Sequence, residues 1–228
     1  MTIFVYAIIK GLRNKATLIF NCILPIVIIL IRPLWDEGGL SGLGLLVMTM
    51  WGAAFLMSQG ILNDKINGSI TRILAAPVTM FQYLAQNLLA FMVPLTVQIA
   101  IVSVLGMILY DWGFQFALAL FVCYAVFTAS AIAMSFAWNC LFKSKDTSFS
   151  TFSAVITFGS ALSGALIPLE LFPTALQYLG AIFPAYWAVR GINAYLDYGA
   201  VLGYWSALLA MMVIAVICLF YGGKRRIV

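Results

Sequence analysis

An all-α membrane protein with six transmembrane helices is the fold class this sequence predicts, and three observations carry that reading. The 228-residue chain is 64% hydrophobic and 8% charged, with a mean hydropathy of +1.09. A soluble domain is nearer half apolar and a quarter charged, and one globule of this size cannot hide so much apolar surface from water. Second, the sequence holds six long apolar runs free of Asp, Glu, Lys and Arg, and a spanning helix needs about 20 such residues. Third, ten of the twelve Lys and Arg fall on one side of those runs, the asymmetry that sets membrane orientation.

The runs lie near Ala16 to Ile31, Leu43 to Leu62, Tyr83 to Leu109, Phe116 to Phe142, Phe149 to Ile167 and Val201 to Tyr221. The third is unusually long and contains Pro94. No turn cluster divides it, so it reads as one kinked helix and not as a hairpin. No small-residue cleavage motif follows the first run, which therefore reads as a helix and not a signal peptide. Residues 171–189 form a further charge-free run, cut by Pro173 and Pro184. The stretch between the prolines is too short to span, so residues 168–198 read as an extracellular segment with re-entrant or interfacial short helices before helix 6.

With six spans both termini share a side. Lys10, Arg13, Lys15, Lys65, Arg72, Lys143, Lys145, Lys224, Arg225 and Arg226 fall there, and only Arg32 and Arg190 fall opposite. That side is cytoplasmic by the positive-inside rule. The net charge of +5 is thus a topology signature, with no basic stripe long enough for nucleic acid. The chain has no His, which removes the commonest metal ligand and general base. Cys22, Cys123, Cys140 and Cys218 are scattered through apolar segments and read as packing residues. No G-x-x-x-x-G-K-[ST] loop occurs, so the chain holds no nucleotide by that motif. No enzymatic chemistry, metal or cofactor is expected in it.

Residues 62–77, LNDKINGSITRILAAP, are the polar exception. Asn67-Gly68 is a turn signal that ends helix 2. Ser69 can cap a new short helix over 69–76. Ile70, Ile73 and Leu74 then share one face, and Pro77 ends the element. Two turns of amphipathic helix, roughly 12 Å long, suit a membrane interface or a groove on a partner. Local pattern by itself favours the plainer reading, a solvated loop with an apolar stripe.

This stretch resembles the coupling helix of ABC-2 type transporter permeases. The similarity is carried by Asp64-Lys65, then Gly68-Ser69, then Arg72-Ile73-Leu74-Ala75-Ala76-Pro77. "LRNKATLIFNCILP" at 12–25 is similar to the family's basic lead into helix 1. "LFPTALQYLGAIFPAYWAVRGI" at 171–192 is similar to its segment before the last helix. The sequence departs where the family commonly has Glu at Asp64 and an acid at Thr71.

The resemblance implies a single transmembrane domain over 1–228 that acts as the permease subunit of an ATP-driven exporter. It implies pairing with a second permease copy, as homo- or heterodimer, and with separate ABC ATP-binding subunits that hold ATP and Mg. Asp64, Lys65, Gly68, Ser69, Ile70, Arg72, Ile73, Leu74 and Pro77 would couple to the ATPase. Residues 1–14 would lie as an interfacial helix that also meets it. There Lys10 and Arg13 share one helical face and Phe4, Ala7 and Ile8 another. Lys10 and Arg13 also suit anionic lipid headgroups, worth about 1 kcal/mol each near the surface.

By the same resemblance helices 2 and 5 line the translocation pathway at the dimer interface. The candidates are Thr49, Ser58 and Gln59 on helix 2, and Ser153, Thr157 and Ser160 on helix 5. Small hydroxyl residues equally serve close helix packing. Weakly polar, Met-rich surfaces fit an amphipathic or hydrophobic cargo such as a drug, antimicrobial peptide or lipid. On the outer side Pro173, Tyr178, Phe183, Pro184 and Trp187 mark the exit segment, its backbone a cap and its aromatics an interface belt. The alternative function is an autonomous secondary transporter or channel without an ATPase. Spans without acids or bases weigh against ion coupling.

Overall fold

The computed structural model describes residues 2–12, 17, 19–36, 40–70, 79–197 and 201–224. All regular structure among them is helical. Helix α1 is Thr2–Leu12; a π-helical turn, Ile19–Ile23, leads straight into α2, Leu24–Leu30. Then come α3 (Pro33–Asp36), α4 (Leu40–Ile66), α5 (Met80–Leu109), α6 (Phe114–Asn139) and α7 (Lys145–Leu162). A 3-10 turn at Leu169–Leu171 precedes α8 (Thr174–Gly180), α9 (Pro184–Leu196) and α10 (Val201–Lys224).

The expected six spans become four among the described residues. Only α4, α5, α6 and α10 are long and apolar enough to cross a membrane. The first apolar run gives only the shorter apolar helix Ile19–Leu30. Pro25 in its first turn cannot donate a helical hydrogen bond, and the backbone before it is widened into the π turn. Pro33 then discourages helix at Arg32. The fifth run is shifted. Helix α7 starts at Lys145, with Ser144 as its N-cap, so it takes in a polar first turn. It stops at Leu162 because Gly164, at φ +80°, closes a Schellman motif. Ala165 N–H donates to the Ser160 carbonyl at 3.1 Å and Gly164 N–H to that of Ala161 at 3.3 Å.

The other boundaries follow local chemistry. Thr79 and Gln82 form a capping box at the start of α5, with 3.2 and 3.0 Å bonds. The helix runs unbroken through Pro94. Thr96 Oγ1 turns back onto the Met92 and Val93 carbonyls beside that proline, 2.9 Å to each. Prolines 173 and 184 open α8 and α9, where a missing N–H costs nothing. A 3-10 turn and the helices α8 and α9 occupy this region.

Helix α6 is central, packed against α4, α5, α9 and α10. Its hydroxyls at Thr128, Ser130 and Ser135 bond back to their own helix, which leaves its flanks free for apolar contact. An aromatic core joins α4, α6 and α7. Phe152 stacks on Phe55 at 4.2 Å and meets Trp138 at 5.4 Å and Trp51 at 6.1 Å. At the opposite end of the bundle from the 62–77 loop, seven rings form one chain. It runs Trp35, Tyr110, Trp112, Phe116, Tyr195, Tyr204 and Trp205, with neighbouring centroids 5.3–6.2 Å apart. Trp35, Tyr110 and Tyr204 each also donate to a backbone carbonyl. Such rings prefer a rim where one end is apolar and the other wet.

The start of α4 lies so close to the turn after α7 that a Cβ on Gly44 would overlap the Ala165 carbonyl. Neither backbone can yield without loss of helix contact. Gly44→Ala is expected to lower stability by about 1–3 kcal/mol, the usual cost of overpacking. Thermal unfolding in detergent checks this, and an unchanged midpoint would show that the contact is slack.

Candidate functional site

The root of the 62–77 loop is fastened into the bundle. Helix α4 ends at Ile66, and Gly68 takes φ +67°, a left-handed conformation that glycine adopts without strain. Its N–H bonds the Lys65 carbonyl at 3.1 Å. Ser69 and Ile70 are helical again, and Ile70 is buried. The Asp64 carboxylate accepts the Tyr83 hydroxyl at 3.0 Å, tying α4 to the first turn of α5. Lys65 Nζ donates to the Cys140 and Phe142 carbonyls at 2.9 and 3.1 Å. A cation there satisfies carbonyls that the end of α6 leaves without helical partners. Asp64 and Lys65, expected to serve a partner, thus also brace the loop from within. Lys10 lies in α1. Arg13, Arg72, Ile73, Leu74 and Pro77 lie outside the described residues.

A cavity of about 490 Å³ opens between α4, α7 and the π turn with α2. Thr49, Gly52, Phe55 and Leu56 form one wall; Phe149, Ser153, Ile156 and Thr157 form another; Phe20 and Leu24 close the side. Three of the six predicted pathway residues are therefore brought together: Thr49, Ser153 and Thr157. Each hydroxyl bonds back to its own helix, onto Leu46, Phe149 and Ser153 at 3.0, 2.8 and 2.9 Å. They present a weakly polar surface while their donors are already used. The cavity is apolar in character and of a size that suits a drug-sized apolar or amphipathic molecule.

Ser58, Gln59 and Ser160 are placed elsewhere. Ser58 and Ser160 are fully buried, and none of the three lines the cavity. Ser58 and Gln59 instead join Asn139 and Ser148. Asn139 Nδ2 donates to Ser58 Oγ at 2.7 Å, and its Oδ1 accepts from Ser148 Oγ at 2.7 Å and from Gln59 Nε2 at 3.3 Å. Sequence reasoning missed Asn139, Ser148 and Tyr83. The signal available was Asn139 itself, a strong hydrogen-bonding group inside an apolar run expected to span.

At the other end of α7, Phe183 faces inward. Its ring lies 5.9 Å from Trp51, and it is half-buried against the core. Pro184 is buried at the start of α9, while Tyr178 is exposed. Trp187 Nε1 donates to the Ala181 carbonyl at 2.8 Å, and the Arg190 guanidinium sits 5.7 Å from its ring. That indole holds the α8–α9 turn in place. Pro173 caps α8, and α8 packs against α7 and α9 against α4, α6, α7 and α10. The expected exit-side residues therefore fall on α8, α9 and their first positions, two helices that both pack against α7.

Residues 37–223 match the sequence profile described as ABC-2 family transporter protein. The match covers α4 to α10, including both walls of the cavity contributed by α4 and α7. No curated protein matches the chain at a significant level.

Lys65→Met keeps the side chain's apolar length and removes its charge. It strips the Cys140 and Phe142 carbonyls of a charge-assisted donor, worth about 1.5–3 kcal/mol. Amide exchange over residues 143–147 is expected to rise about tenfold or more, since about 1.4 kcal/mol is a factor of ten. Unchanged exchange would mean that Lys65 does not brace this turn.

Proposed function

The chain belongs to the ABC-2 transporter family, and from that premise we propose that it is the permease subunit of an ATP-driven exporter. It is a multi-pass membrane protein. In the proposed arrangement the π turn with α2 and the polar α7 supply two further crossings beside the four apolar ones. Both termini then lie in the cytoplasm, and α8 and α9 sit at the outer face. The permease works as a dimer and forms the path, while separate ATP-binding subunits hold ATP and Mg.

The observation that carries this reading is the braced root of the 62–77 loop. A conformational change needs a ligand with different affinity for two states. The loop is where such a contact is received. Gly68 redirects the chain, and Asp64 and Lys65 transfer load from it to α5 and to the α6–α7 turn. The segment 69–76, with Ser69, Ile70, Arg72, Ile73 and Leu74, docks on the ATPase and ends at Pro77. Lys10 and Arg13 add the N-terminal contact or hold lipid headgroups.

The α4–α7 cavity is the part of the path that each subunit contributes. Thr49, Ser153 and Thr157 line it, and in the proposed arrangement the exit segment with Phe183 lies on its outer side. The cargo is amphipathic or hydrophobic, matched to walls of Phe, Leu, Ile and Met.

Purification from native membranes is expected to bring down an ATP-binding subunit. Gly68→Pro cannot adopt φ +67° and is expected to abolish ATP-driven transport while the protein remains in the membrane. Full transport by that variant would contradict the coupling assignment. Thr157→Trp fills the cavity and is expected to cut transport at least tenfold with assembly intact. Unchanged transport would move the path away from α7.

A further inference from the structure

The hydrogen bonds around Asn139 join three helices at one point. Asn139 is the last residue of α6. Ser58 and Gln59 belong to α4, and Ser148 to the first turn of α7. Asn139, Ser58 and Ser148 are all essentially inaccessible. The donors and acceptors are matched. Ser58 gives its one hydroxyl proton to the Phe55 carbonyl at 2.6 Å, so its oxygen is free to accept from Asn139. Ser148 gives its proton to Asn139 Oδ1. Gln59 supplies the second donor to that oxygen, which has two lone pairs. No apolar residue can make this three-way link, and in a low-dielectric interior neither the Ser58 nor the Ser148 arm is released without leaving a buried polar group unpaired.

The position of the link matters as much as its strength. Phe55 and Leu56 are the last cavity-lining residues on α4, and Phe149 is the first on α7. Ser148 immediately precedes Phe149, and Ser58 and Gln59 follow Leu56 by two and three positions. The Asn139 amide therefore clasps both walls of the cavity at the end nearest the 62–77 loop. Lys65 fastens α4 to the same α6–α7 turn about two turns further along.

We infer that Asn139 is a positioning residue for transport. It makes α4 and α7 move as one body, so that force received by the loop reaches both walls of the cavity. This rests on the exporter reading above and adds the element that carries the motion from loop to path. Without the bracket, the α4–α7 contact near the loop rests on ring packing and Lys65, which allow the two helices to slip against each other.

The test uses the complex of the permease with its ATP-binding subunit in nanodiscs, with spin labels read by pulsed dipolar spectroscopy. One pair, at the exposed positions Ile66 and Thr151, spans the bracket from α4 to α7. A second pair, at Thr151 and the exposed Leu202, reports α7 against α10. In the wild-type background, trapping with ATP and vanadate is expected to shift the second pair and leave the first unchanged. In Asn139→Leu and in the milder Ser148→Ala, which deletes only the α7 arm, the first pair is expected to shift or broaden on trapping while ATP hydrolysis continues. Wild-type behaviour of both variants would overturn the bracket. A wild-type complex in which trapping moves neither pair would remove the exporter reading and the inference with it.

Discussion

A buried amide at the end of one helix organises the loop end of this bundle. In hydrocarbon a polar group has no water to fall back on, so an unpaired one costs several kcal/mol. Asn139 avoids that cost only where α4, α6 and α7 meet in a single register. The aromatic core follows from the same register. With α4 and α7 held there, Phe55 stacks on Phe152 and Trp51 fits over Gly159, where a Cβ would come within 2.9 Å of its ring. The cavity is the space these walls leave where small residues, Gly52, Thr49 and Ser153, replace rings.

The two ends of the bundle are built differently, in keeping with different tasks. The loop end is hydrogen-bonded and charged: Asp64 to Tyr83, Lys65 to two carbonyls, and the Asn139 link. Directional bonds resist sliding of one helix against another. The opposite end is held chiefly by a continuous chain of rings, three of them also hydrogen-bonded to backbone carbonyls.

Much of the helical layout was legible in the sequence, because apolar runs and turn residues are local signals. Four long helices fall on their expected runs, and Asn67-Gly68 ends α4 with Gly68 at positive φ. Pro173 and Pro184 open the two short helices as their chemistry requires. Among the described residues, the first and fifth runs do not yield helices long and apolar enough to span. Pro25 and the π turn break one, and Gly164 with a polar first turn reshapes the other, details that an apolar count does not weigh. The lining of the α4–α7 cavity was half legible. Thr49, Ser153 and Thr157 reach the cavity, but Ser58 and Ser160 turn into the core. Ser58 meets Asn139 across 81 positions of sequence, and no local pattern reports such a pairing.

The account stands on the 62–77 loop receiving force from an ATP-binding subunit. Site-specific photocrosslinking from Asn67, exposed at the Gly68 turn, measures that contact in native membranes. The account predicts one dominant adduct, with an ATP-binding protein, whose yield changes between nucleotide-free and ATP-bound states. Adducts with lipid alone, or a yield indifferent to nucleotide, would contradict it.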